Sequence, residues 1–378
     1  MDVRKNQPLA GMLVVSLDQA VAAPLTGRRL ADAGARVIKL ERPEGDFARY
    51  YDERVDGQCT YFVWLNRGKE SVLADLAQPE DRRLFDALLA RADVFLQNLK
   101  PGALAKLGYP LAELRRRHPR LICCSISGYG EEGPYRDRKA YDLLIQAESG
   151  LAAVTGGPEA PGRVGISLVD ICTGLHAYEA VLEAVIGRAR TGEGADIRVS
   201  MFDTMMELMT VPLLHARYGS APPRLGLSHP ALAPYGVFQT ADARPILISI
   251  QNDREWARLC TRVLGTPAAA SERRFATGIA RANNRKDTDA LVAACFAERP
   301  FATLAQQLEA AEIAFAPVND VAGVLAHPHL RQIAVATPGG PVPLPAPPSR
   351  VMGQPPTLGA LPRLGEHTAA VRREFLDG

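Results

Sequence analysis

The sequence predicts an α/β protein: a large domain on a parallel sheet, joined to a smaller α+β domain. Short apolar runs alternate with helical stretches from Gly11 to Ala216, the pattern that builds strand–helix–strand units. The chain has 378 residues, more than one compact core usually covers. The texture then changes at Y-G-S-A-P-P-R-L-G-L-S-H-P-A-L-A-P, rich in Pro and Gly, which reads as a linker.

Residues 11–17 (G-M-L-V-V-S-L) read as a buried strand. A helix from about Pro24 to Asp32 follows, stopped by Gly34, and then the strand Arg36–Leu40. The alternation continues through S-V-L-A-D-L, the helix P-E-D-R-R-L-F-D-A-L-L-A-R-A and the strand D-V-F-L-Q-N. A short helix near L-A-E-L-R-R-R and the strand L-I-C-C-S-I-S come next. Helix at 141–149, a long helix at 163–190, the strand D-I-R-V-S and a helix from Met201 to Ala216 complete the first domain. After the linker, Y-G-V-F-Q-T-A-D-A-R-P-I-L-I-S-I reads as an antiparallel hairpin turning at A-D-A-R. Helices near 252–264, 286–297 and 302–311 follow. From Ala316 the chain reads as irregular and proline-rich, an extended segment packed on a surface, ending in the helix A-A-V-R-R-E-F-L. The expected division is 1–218, 219–315 and 316–378, the last returning to the large domain. No internal repeat is present.

Composition narrows the function. With 47% hydrophobic and 23% charged residues and a net charge of +2, nothing points to nucleic acid or a membrane surface. No apolar run reaches the ~20 residues of a membrane span. The segment M-D-V-R-K-N-Q-P-L-A lacks the apolar core of a signal peptide, so the cytoplasm is the expected location. Six cysteines occur without a C-x-x-C pair, which predicts neither disulfides nor a zinc site.

Most motifs resolve to structure. Gly128-Tyr129-Gly130-Glu131-Glu132-Gly133 fits G-x-G-x-x-G, but Glu131 and Glu132 would repel a pyrophosphate and Pro134 interrupts the helix start, so it reads as a turn. His327-Pro328-His329 lacks further ligands nearby, and no metal is expected. Neither G-x-S-x-G nor H-E-x-x-H occurs. Basic residues just after strands or in loops, among them Arg42, Lys69, Lys106 and Lys139, stand where open sheets hold phosphorylated ligands, or on ordinary surface.

The stretch 163–190 carries the candidate chemistry. Asp170 lies near the start of the helix between Val169 and Ile171, with Gly174, Ala177 and Val181 on the same face. The small residues leave room beside the carboxylate, and an acid among apolar neighbours is a candidate nucleophile or base. Ser167-Leu168-Val169-Asp170 also spells a capping box, with Ser167 as N-cap. The two readings coexist, since a helix N-terminus favours the ionised carboxylate.

Together these stretches resemble the class III CoA-transferases, the formyl-CoA transferase and carnitine CoA-transferase family. The resemblance runs almost end to end: A-A-P-L-T-G-R-R-L-A-D-A-G-A-R-V-I-K-L-E-R-P-E-G-D, L-N-R-G-K-E-S-V, Q-N-L-K-P-G-A-L-A-K-L-G-Y, S-I-S-G-Y-G-E-E-G-P-Y, K-A-Y-D, Asp170 in its helix, and L-G-E-H-T. It implies a Rossmann-like large domain, an inserted small domain, and two chains interlocked as a homodimer. It implies no permanently bound cofactor, with coenzyme A and acyl-CoA as substrates. Asp170 matches the family's catalytic aspartate, which forms an aspartyl-CoA thioester. Val21 and Ala22 fill its active-site loop, and Tyr141 and Asp142 fall beside the carboxylate. Arg42, Lys69, Asn98, Leu99, Lys106 and Lys139 fall on its CoA contacts.

Departures refine this. Val21 stands where formyl-CoA transferase has a glutamine, which argues against formate and oxalate. The family's run of four glycines is missing, and R-L-G-L-S-H-P lies in that region. Arg224, His229 and Tyr235 are candidates to hold the distal carboxylate of a diacid. The related racemases need a histidine where Tyr141 stands, and a phenol of pKa near ~10 is no substitute base at neutral pH. S-L-D-Q-A-V-A-A-P, F-V-W-L-N-R-G-K-E-S and H-P-A-L-A-P-Y-G resemble members acting on small dicarboxylates such as itaconate, mesaconate, malate and citramalate. The expected reaction passes CoA from succinyl-CoA to such an acid; intramolecular transfer within mesaconyl-CoA is the alternative.

Overall fold

The structure, a computed structural model, describes residues 7–353 and 356–377. Residues 1–6 of the N-terminal segment read for a signal peptide lie outside the described residues. The chain divides into two compact units, 1–151 with 164–210 and 331–378, and 152–163 with 211–330.

The first unit carries the parallel sheet. Its elements run β1 (Leu13–Leu17), α1 (Ala22–Asp32), β2 (Arg36–Glu41), α2 (Thr60–Asn66), β3 (Lys69–Leu73), α3 (Pro79–Arg91) and β4 (Val94–Gln97). They continue as α4 (Ala103–Lys106), α5 (Leu111–Arg117), β5 (Ile122–Ser127), α6 (Asp142–Glu148), α7 (Leu151–Val154), α8 (Leu168–Thr191), β6 (Asp196–Ser200) and α9 (Met201–Leu208). The strand order is β3-β2-β1-β4-β5-β6, and each pair is parallel. Period-two alternation explains why these strands are apolar on both faces. Val14, Leu96 and Cys124 join Ala22, Leu30, Ala177 and Val181 on the face covered by α1 and α8. Val15, Phe95 and Cys123 join Leu84, Leu88, Leu114 and Val371 on the other.

The order reverses between β1 and β4, and open sheets bind ligands at the carboxyl ends of strands flanking such a reversal. Asn98 spans the gap there: its side chain accepts from the Gln19 N–H at 2.9 Å and donates to the Gln19 carbonyl at 2.8 Å. Helices that connect parallel strands start at this same edge, so the N-termini of α1 and α8 both open onto it.

Several elements differ from the sequence expectation. Helix α2 and β9 (Ala314–Pro317) were absent from it. β9 adds a third strand to the hairpin of β7 (Tyr235–Phe238) and β8 (Ile246–Ser249) in the second unit. The helix expected over Met201–Ala216 breaks at Met209. The stretch expected to be irregular contains a hairpin, β10 (Gln332–Thr337) and β11 (Gly340–Pro345). Its prolines, Pro341, Pro343 and Pro345, stand at alternate positions of an edge strand, where a missing N–H costs no ladder bond. The second unit packs a separate core around Trp256, Phe296, Leu304 and Ile248.

Candidate active site

Helix α8 begins at Ser167, as the capping-box pattern predicts, but the Ser167 side chain does not cap it. Its hydroxyl pairs with the Tyr61 hydroxyl at 3.0 Å instead. The cap comes from a different helix. One oxygen of Asp142, the first residue of α6, accepts the N–H groups of Val169 at 2.8 Å and Asp170 at 3.2 Å. Its other oxygen accepts from Gln146 at 2.7 Å, and the same fully buried Gln146 accepts the Val164 N–H at 2.9 Å.

This arrangement inverts one expectation. The helix N-terminus does not hold the Asp170 carboxyl ionised, because Asp142 already occupies its donors. Burial, and then the negative charge of Asp142, push the half-buried Asp170 carboxyl up to about 7. An acid raised in this way is a stronger nucleophile once ionised than an ordinary aspartate.

Asp170 faces α1. Gly174, one turn on, lies so close to that helix that a Cβ there would sit 2.5 Å from the Ala22 carbonyl oxygen. The Thr26 hydroxyl donates to the Gly174 carbonyl at 2.9 Å, and Ile171 packs with Val21, Leu25 and Leu65. The room that Gly174 leaves is therefore filled by α1 rather than kept for a ligand. Val21 and Ala22 are nearly enclosed at the start of α1, which no side chain caps. First-turn N–H groups have no intrahelical partners, which makes the start of α1 a candidate oxyanion site.

Two further residues border the site and were not singled out in the sequence. The phenol of Tyr51 is pushed up to about 12, first by burial and then by Asp46, Asp170 and Tyr141. Its ring meets Tyr61 edge-on at 5.7 Å. The aromatic pair Y-Y between β2 and α2 and the run T-Y-F that opens α2 were the available signal.

The expected CoA contacts gather along the sheet's carboxyl edge. Arg42 follows β2, Asn98 and Leu99 follow β4, Lys106 ends α4, and Lys139 lies in the loop after β5. Arg42, Lys106 and Lys139 are exposed, and Asn98 and Leu99 are half-buried. Lys69 differs: its enclosed ammonium donates to Asp18 at 2.8 Å and to Asn66 at 2.9 Å, with no surface facing solvent. Tyr141 is exposed beside Asp142. Arg224, His229 and Tyr235 belong to the second unit. The Arg224 guanidinium donates to the carbonyls of Gly157, Ala153 and Pro158, and His229 stacks on Tyr235 at 5.3 Å. Among the described residues no group of three or more His, Cys, Asp or Glu is placed to hold a metal, and no helix is long and apolar enough to cross a membrane.

The titration has a measurable consequence. Between the ordinary aspartate value of 3.8 and about 7 the folded state holds a proton that the unfolded state has released. Its stability contribution is therefore present at low pH and lost as pH rises through 7. Three pH units correspond to about 4 kcal/mol, and solvent on the open side of Asp170 reduces this to about 1–2 kcal/mol. Urea unfolding is expected to find Asp170→Asn more stable than the wild type at about pH 8, with the gap closing toward about pH 4.

Comparisons with known proteins give the family. The acetyl-CoA:oxalate CoA-transferase of Acetobacter aceti is 37% identical, over 97% of this chain and 96% of that one. The succinate–glutarate CoA-transferase of Agrobacterium fabrum is 35% identical, over 98% and 96%. Further relatives are named as transferases from succinyl-CoA to D-citramalate, L-malate and mesaconate. The crystal structure of a CaiB/BaiF family protein from Brucella suis matches with a TM-score of 0.84 at 36% identity, covering 98% of this chain and all of that one. The family model for CoA-transferase family III matches residues 9–368, and the chain is accordingly a CoA-transferase belonging to that family.

Proposed function

We propose that the enzyme passes CoA from succinyl-CoA to a small dicarboxylic acid through an aspartyl-CoA thioester on Asp170. The observation that carries this is the Asp170 carboxyl, held near neutrality beside the uncapped start of α1. The Asp170 oxygen attacks the thioester carbonyl; the C–O bond forms, the C–S bond breaks, and a mixed anhydride and CoA thiolate result. The thiolate attacks the Asp170 carbonyl, giving the aspartyl thioester and releasing succinate. The acceptor carboxylate attacks that carbonyl and expels the thiolate, which then takes the acyl group and frees Asp170. Each step places negative charge on a carbonyl oxygen, and the N–H groups of Val21 and Ala22 are the proposed donors to it. Asp142 and Tyr141 flank the carboxyl.

Arg42, Lys106 and Lys139 meet the CoA phosphates, with Asn98 and Leu99 against the pantetheine arm. Lys69 acts at one remove, through Asp18. Arg224, His229 and Tyr235, all in the second unit, are proposed to bind a carboxylate. The active form is an interlocked homodimer in the cytoplasm; the exposed Leu143, Leu144 and Ile166 beside the site support a second copy covering it.

The test is an acceptor panel with succinyl-CoA, read by mass spectrometry: itaconate, mesaconate, malate, citramalate and glutarate. The exclusion of oxalate drawn from Val21 is not kept, because a relative carries that acid in its name, and oxalate joins the panel. Exchange with a C4–C5 diacid is the expected result, and exchange with none of them overturns the substrate class. Conversion of mesaconyl-C1-CoA to its C4 isomer with no free acid present would favour the intramolecular alternative.

A further inference from the structure

The loop between β1 and α1 holds a conformation its own sequence does not favour. Ala20 has φ +63°, left-handed backbone that a residue with a Cβ rarely adopts. Outside contacts must impose it. The Ala20 N–H donates to Oδ1 of Asp46 at 3.1 Å, and the same oxygen accepts from the Ala48 N–H at 2.9 Å. Asp46 is in turn held at its other oxygen and at its backbone. Its Oδ2 accepts from Lys39 Nζ at 2.8 Å, its own N–H donates to Glu41 at 3.0 Å, and it is almost fully enclosed. Lys39 also donates to Asp18 Oδ1 at 2.5 Å and to the Asp18 carbonyl at 2.7 Å, so both ends of the turn hang on one ammonium.

The reach of this network ends at Ala20, one residue short of the donors on Val21 and Ala22. It fixes the turn without consuming those N–H groups. On the other side α1 is pinned by Gly27, where a Cβ would stand 3.1 Å from the Lys69 side chain and 3.2 Å from Asp18.

The geometry points to Asp46 as a positioning residue for acyl transfer: through Ala20 it sets the direction of the Val21 and Ala22 N–H groups toward the oxygen that becomes charged on the acyl–Asp170 adduct. This rests on the proposed transfer at Asp170. The Asp46 carboxylate is bonded to Ala20, Ala48 and Lys39, and as a positioning residue its effect belongs in kcat rather than in CoA affinity.

The test compares Asp46→Ala and Asp46→Asn in the full-length enzyme, measuring kcat and KM for succinyl-CoA and, by calorimetry, the Kd of CoA. Asp46→Ala is expected to lower kcat about 30-fold or more while the CoA Kd changes less than about threefold. Asp46→Asn keeps an oxygen for Ala20 and Ala48, and is expected to recover about tenfold over the alanine variant. An alanine variant within about twofold of wild-type kcat, or an asparagine variant no better than alanine, overturns the inference. Should Asp46→Ala fail to fold, Ala20→Val decides, because a β-branched residue resists positive φ. Loss of kcat with CoA affinity kept supports the inference, and unchanged kcat overturns it. A wild-type enzyme inert toward every acid in the panel overturns the transfer reading and this inference together; an active wild type with an indifferent Asp46→Ala overturns this inference alone.

Discussion

Asp170→Ala is expected to lower CoA exchange by about four orders of magnitude or more, since removal of a covalent nucleophile leaves only binding and oxyanion stabilisation. CoA should still bind within about threefold of the wild-type Kd, because the proposed contacts lie on the ends of β2, β4 and β5 rather than on α8. Initial rates and calorimetry on the same preparation check both halves. The pH dependence follows from the same group. With the carboxyl at about 7, kcat/KM should fall about tenfold per pH unit below neutrality. Asp142→Asn should move that limb downward only in part, because burial is the larger cause and remains.

The second large effect concerns stability. Lys39→Met is expected to destabilise the fold by about 3–5 kcal/mol, as removing one partner from a buried ion network leaves charge unpaired. Lys39 is fully enclosed between Asp18 and Asp46. Burial alone would raise the Asp18 carboxyl, but Lys39 and Lys69 outweigh it and hold Asp18 at about 2. Burial holds Lys69 down at about 8 despite the attraction of Asp18. Without Lys39, Asp18 keeps Lys69 but Asp46 keeps only backbone donors. Lys69→Met leaves each aspartate with Lys39 and should cost less. Urea unfolding of the two variants ranks them; Lys39→Met within about 1 kcal/mol of wild type would contradict the ranking.

What could be read without coordinates follows from periodicity. β1, β2, β4 and β5 are short, mostly apolar runs alternating with helices, so their existence and the parallel sheet were legible, while buried polar members such as Lys39 were not. Helix α2 was not, because T-Y-F-V-W-L-N reads equally as a short strand. The β10–β11 hairpin was hidden by prolines that usually argue against a ladder and here sit on its open edge. Asp170 was legible as an acid on an apolar helix. Its titration was not, since the deciding carboxylate, Asp142, lies 28 residues away in sequence and reaches the helix only in the fold. Lys69 shows the opposite limit. A lysine in a loop beside a strand reads as a phosphate-binding candidate, yet Lys69 opens β3 and its ammonium is enclosed against Asp18, a contact that strand spacing alone does not disclose.

The central claim is that one carboxyl, Asp170, carries first an acyl group and then CoA. Wild-type enzyme turning over succinyl-CoA with an accepted acid can be quenched with hydroxylamine, which converts an anhydride or thioester at a side chain into its hydroxamate, and the peptides weighed. The account predicts the hydroxamate on Asp170, and none when succinyl-CoA is omitted. An unmodified Asp170 peptide from enzyme that is demonstrably exchanging CoA would contradict it.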